Sequence, residues 1–155
     1  MSKILGLDPG YDRLGFGVIE VARGKTCALD FGVITTHKGL EFGERLLQIF
    51  EDLEEILKAH KPDVISVEKL YSTVNQKTVM NVAEARGVAR LVAAKHGLKF
   101  LEFTPNQIKS AVAGNGSADK KGVQKMVAMI LGLPRTPKPD DAADALAIAL
   151  TAVGR

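Results

Sequence analysis

The chain has 155 residues, 46% of them hydrophobic and 25% charged, which is the size and composition of a single domain, 1–155, with a core of its own. One cysteine, Cys27, excludes an internal disulfide framework and suits a reducing compartment, so a cytoplasmic location is expected. No apolar run approaches the roughly 18 residues of a membrane span, the start "MSKILGLDPG" lacks a signal peptide's apolar stretch, and a net charge of +3 permits a polyanionic partner without requiring one.

Residues 3–8, "KILGLD", form an apolar run without alternation, as a strand buried on both faces would, and end in an acid before Pro9-Gly10. Residues 14–21 and 26–35 are β-rich and joined through "ARGK", which predicts an antiparallel hairpin. Apolar positions 42, 46, 49, 50, 53, 56 and 57 predict an amphipathic helix. "DVISVE", 63–68, is a fourth strand that again ends in an acid. A long helix over 75–96, a strand at 99–103 and a short helix opened by Thr104-Pro105 follow. The loop "GNGS" at 114–117 ends that helix, and Ser117 is expected to N-cap the next, which carries Val123, Met126, Val127, Ile130 and Leu131 at helical spacing. Prolines 134, 137 and 139 precede a final helix.

This order predicts an α/β fold with a five-stranded mixed sheet, an antiparallel hairpin beside parallel strands, and helices on both faces. Right-handed crossovers make strands one and four parallel neighbours. Asp8 and Glu68 then end adjacent strands on the edge where ligands of open sheets bind.

Taken singly, each acid also has a structural explanation: Asp8 as a turn residue, Glu68 as a solvated strand end, Asp140 and Asp141 as helix-start acids. Asp144 resists one, because Ala142, Ala143, Ala145, Leu146, Ala147, Ile148 and Ala149 leave it no polar face. Burying its charge uncompensated would cost several kcal/mol. Positions i and i+3 share a helix side, so Asp141 and Asp144 point at one place, and the alanines allow close approach to the sheet. Carboxylates without His or Cys spacing select a hard cation, Mg²⁺ or Mn²⁺, and several can hold two ions about 3.5–4 Å apart.

Lys120 and Lys121 start a helix where the dipole disfavours cations, a placement a phosphate would repay or Asp119 would offset. With Lys109, Lys125, Arg135 and Lys138 they make the last third locally basic. Tyr71 can stack on an unpaired base or pack under its loop. Cys27 is expected in the core, and His37, His60 and His96 have no partner pattern. Gly15 and Gly17 leave one strand face bare, for crowding at a site or for a bulge.

Five segments together, "ILGLDPGYDRLGFGVI" at 4–19, "VISVEKLY" at 64–71, "EARGVA" at 84–89, "VAGNGSADKKGVQKMV" at 112–127 and "DAADALAIA" at 141–149, resemble the RuvC Holliday-junction resolvases of the RNase H-like nuclease superfamily. The resemblance implies that Asp8, Glu68, Asp141 and Asp144 are catalytic, Mg²⁺-binding acids, and it leaves Asp140 as a cap. It implies that Lys109 and Lys120 contact the DNA backbone near the cut and that Tyr71 helps to open the junction. It also implies a two-fold dimer, which suits paired, symmetric nicks, and the branch-migration proteins RuvA and RuvB as partners. Arg86 and Arg90 on the long helix pair across such an interface or reach DNA; the sequence leaves both open.

The expected activity is metal-dependent nicking of a four-way DNA junction that leaves 5′-phosphate and 3′-hydroxyl ends. Competing readings are an RNase H-like nuclease acting on RNA or an RNA/DNA hybrid, and a catalytically silent junction binder. An actin-like ATPase would require a second phosphate loop and a larger, two-lobed chain.

Overall fold

The computed structural model describes residues 1–10, 12–70 and 76–155. Three strands, β1 (Ser2–Asp8), β2 (Arg13–Ala22) and β3 (Lys25–Thr35), run antiparallel in sequence. Arg23 and Gly24, both at positive φ, make the tight turn of the hairpin. Helix α1 (Phe42–His60) leads to β4 (Val64–Glu68), and α2 (Gln76–Lys95) to β5 (Lys99–Phe103). Both β4 and β5 add in parallel, so the sheet order is β3-β2-β1-β4-β5. Three helices close the chain: α3 (Pro105–Ala113), α4 (Lys120–Leu131) and α5 (Asp140–Thr151).

The sheet has a core on each face. On one, Leu5, Leu7, Val18, Ile65 and Val67 pack under α1 and α2; on the other, Ile4, Ile19 and Phe103 pack under α3, α4 and α5. The unalternated apolar run of β1 follows from this double coverage. Among the described residues, no helix is long and apolar enough to cross a membrane.

Helix α5 lies on glycine. A Cβ on Gly6 would stand 2.6 Å from the Ala149 nitrogen, and one on Gly17 would stand 2.7 Å from Leu146 Cδ2. The bare face of β2 is therefore filled by α5, whose alanines present a correspondingly flat surface. Ser66 Oγ, fully buried, donates to the Ile148 carbonyl at 2.9 Å and ties α5 to β4.

Four local expectations are corrected. Ser117 does not cap α4: its amide and hydroxyl both donate to Asn115 Oδ1, and Asp119, two residues on, accepts from Gly122 N–H at 2.7 Å. Asp140 is the first helical residue of α5 rather than its cap, because Pro139 occupies that position. Cys27 is exposed, since β3 is an edge strand and the hairpin end that carries Cys27 is only partly covered. His60 and His96 do have partners, Asp30 and Glu54, at 2.9 and 2.8 Å.

Arg86 and Arg90 both pair with Glu102 on β5, at 2.8 and 2.6 Å, and Arg90 lies over the Phe100 ring. Arg86 is largely buried by this pairing, whereas just over half of the Arg90 side chain stays exposed. The opposite side of α2 leaves Met80 and Leu91 about two-thirds exposed, 67% and 60%.

Candidate active site

β1 and β4 run parallel with Leu7 opposite Val67, so Asp8 and Glu68 come one residue later on the same sheet edge. β1 and β2 pair Asp8 with Gly15. Gly15 has no side chain because the Asp141 backbone occupies that space: a Cβ there would stand 2.6 Å from the Asp141 carbonyl carbon. The glycine thus seats the first turn of α5 beside Asp8, and one helical step brings Asp144 alongside.

Asp8, Asp141 and Asp144 each offer a carboxylate oxygen within 4.8 Å of the others. Glu68 falls outside this cluster but lines the same cleft, of about 340 Å³, with Asp8, Asp144, Lys109 and Lys120. Asp144 is half-buried rather than enclosed, with 30% of its side chain exposed to the cleft. Tyr71 lies outside the described residues.

Burial, and then the charges of Asp144, Asp141 and Glu68, push the Asp8 carboxyl up to about 7, against the pull of Lys120. Glu68 is raised by burial and by Asp144, with Lys109 opposing. Asp144 is also raised, chiefly by burial, with Lys120 opposing. Lys120, 3.5 Å from Asp144 and 3.8 Å from Asp140, is itself raised mainly by Asp144. Its placement at the helix start, against the α4 dipole, is offset by these acids.

Arg13, which the residue pattern did not single out, places Nη2 3.0 Å from Asp141 Oδ2. Its signal in the sequence is faint: Arg13 stands two residues before Gly15, on the same face of the strand.

The cluster fits a hard divalent cation. Only carboxylate oxygens converge, the neighbours Lys120 and Arg13 neutralise part of their charge, and burial raises the Asp8 carboxyl to about 7 without metal. A cation there would favour the ionised form of Asp8 and Asp144, which burial opposes.

The family described as "Crossover junction endodeoxyribonuclease RuvC" matches residues 4–152. The RuvC of Thermosipho melanesiensis is 48% identical over 147 residues, covering 95% of this chain and 94% of that relative. The RuvC of Ruminiclostridium cellulolyticum is 46% identical over 147 residues, covering 95% and 89%. Among solved structures, T. thermophilus RuvC in complex with Holliday junction substrate superposes with a TM-score of 0.93 at 34% identity, over 99% of this chain and 93% of that one. The yeast mitochondrial Holliday junction resolvase shares the fold, with a TM-score of 0.69 at 16% identity.

Proposed function

This chain belongs to the RuvC family of crossover junction endodeoxyribonucleases, and from that premise we propose that it resolves four-way DNA junctions with Asp8, Glu68, Asp141 and Asp144 as the catalytic acids. The observation that carries the site assignment is the convergence of three carboxylates from β1 and α5 within 4.8 Å, two of which, Asp8 and Asp144, line a cleft together with Glu68. Residues 1–155 act as one nuclease domain of RNase H-like fold.

Asp8, Asp141 and Asp144 hold divalent metal, and Glu68 serves the same site from β4. Two Mg²⁺ ions held there, or Mn²⁺ in their place, would supply activation of the attacking water and stabilisation of the leaving oxygen of a phosphodiester. Lys109 and Lys120, at the rim on α3 and α4, hold the DNA backbone by its phosphates. Lys120 also opposes the burial that raises Asp144, since its ammonium is already 3.5 Å away. The glycine floor under α5 limits how far the two α5 acids move when substrate arrives. Tyr71 contributes a stacking surface beside the cut.

The same reading makes the working unit a homodimer, because symmetric nicks across a junction need two copies of one site. The exposed Met80 and Leu91 on α2 supply apolar surface for such a contact. RuvA and RuvB are the expected partners, in the cytoplasm.

The test is cleavage of an end-labelled four-way junction beside linear duplex and an RNA/DNA hybrid, with and without Mg²⁺. Paired nicks in the junction alone, and only with metal, are expected. Cleavage of the hybrid with the junction left intact would turn the reading to RNA, where the 2′-hydroxyl is the distinguishing group.

A further inference from the structure

Strand alternation puts Arg13, Gly15 and Gly17 on one face of β2. Helix α5 lies along that face: Leu146 meets Gly17 and the Asp141 backbone meets Gly15. One step further, the Asp141 carboxylate meets the Arg13 guanidinium at 3.0 Å. The packing that delivers Asp141 to the other acids therefore delivers it to Arg13 as well.

Arg13 is anchored by what surrounds its backbone. It opens the β2–β3 ladder opposite Thr35, and the next amide, that of Thr36, donates to the Asp12 carbonyl at 3.0 Å. The Asp12 carboxylate accepts from Arg45 Nη2, and Arg45 Nε donates to Thr36 Oγ1 at 3.0 Å. Only 10% of the Arg45 side chain is exposed, so this brace is anchored at its buried arginine end. Gly10 completes the turn, because a Cβ there would overlap the Arg13 carbonyl. The backbone of Arg13 is thus held in place, and its half-exposed side chain reaches one carboxylate of the cluster.

A guanidinium and a divalent cation seek the same oxygens of Asp141. We propose that Arg13 is a positioning residue that competes with the divalent cation for Asp141, holding that carboxylate in the empty site and yielding it on loading. Arg13 then sets the cation concentration at which the site fills, and its guanidinium offsets the negative charge that Asp141 brings to the start of α5 before loading. The inference rests on the reading of Asp141 as a cation ligand.

The experiment is Mn²⁺ binding to the DNA-free protein, followed by loss of the free-ion EPR signal, for the wild type, Arg13→Gln, Arg13→Lys and Asp141→Asn. Thermal unfolding of each without metal confirms folding. Arg13→Gln is expected to bind roughly three- to tenfold more tightly and to unfold at lower temperature when metal-free. Arg13→Lys, which keeps the charge, should stay near the wild type. Equal or weaker binding by Arg13→Gln, with Asp141→Asn clearly weakened, overturns the competition and leaves the cation site standing. Wild-type affinity in Asp141→Asn would remove Asp141 from the ligands and overturn both readings.

Discussion

Gly15 and Asp141 touch through their main chains: a methyl group at position 15 would stand 2.6 Å from the Asp141 carbonyl carbon and 2.9 Å from its Cβ. Asp8 is the strand partner of that same glycine. One absent side chain therefore sets the spacing between the acid of β1 and those of α5.

Gly15→Ala is expected to lift the first turn of α5, at a cost of about 1–3 kcal/mol, and to remove most cleavage. Gly39→Ala, at a position with nothing within 4 Å, is the control for both measurements, thermal unfolding and junction cleavage. Full cleavage by a folded Gly15→Ala would detach the site geometry from this contact.

Asp8→Asn and Asp144→Asn should each abolish cleavage while junction binding, measured by gel shift, stays within a few-fold of the wild type. Both replacements keep side-chain volume and remove a charge whose ionised form is disfavoured in the metal-free site. Cleavage retained by Asp144→Asn would end its role as a ligand.

The pH dependence has a definite sign. An unfolded aspartate titrates near 3.9, whereas folded Asp8 is raised to about 7. Between these values the folded chain keeps a proton that the unfolded chain has released, so metal-free stability falls as pH rises from about 4 to about 7. Glu68 and Asp144, shifted in the same direction, add to the fall. Saturating Mg²⁺ needs the ionised carboxylates and reverses the trend. The rise in Tm on adding Mg²⁺ should accordingly be larger at pH 8 than at pH 5.5, and Asp8→Asn should flatten the metal-free profile. An equal Mg²⁺ effect at both values would contradict this.

Lys120→Ala removes the ammonium 3.5 Å from Asp144. Cleavage is expected to fall by roughly tenfold or more. If the lysine also contacts a phosphate, the plot of log K against log salt becomes shallower by about one. A slower reaction with an unchanged salt slope would confine Lys120 to the carboxylates.

Much of the site could be read from residue order because two of its acids are strand ends. Apolar runs that stop at Asp8 and Glu68 predict parallel neighbours, and the register with Leu7 opposite Val67 places them so. The i, i+3 spacing of Asp141 and Asp144 needs no tertiary information. The cap at Asp119 was missed because Ser117 is an equally good cap by type, and its hydroxyl is committed to Asn115 only once the loop has folded. That Arg86 and Arg90 share Glu102 is not legible in the sequence, because only the parallel addition of β5 brings Glu102 under α2.

The sequence by itself determined the element order, the mixed sheet, the residue types at the sheet edge and the family resemblance, because periodicity, turn chemistry and motif spacing act over a few residues. Only the tertiary structure decided that Glu68 stands apart from the three-carboxylate cluster, that Arg13 pairs with Asp141, and that burial raises the Asp8 carboxyl to about 7. Those properties depend on distance and burial between segments far apart in the chain. Coulomb energy and desolvation vary steeply with both, and no local pattern encodes either.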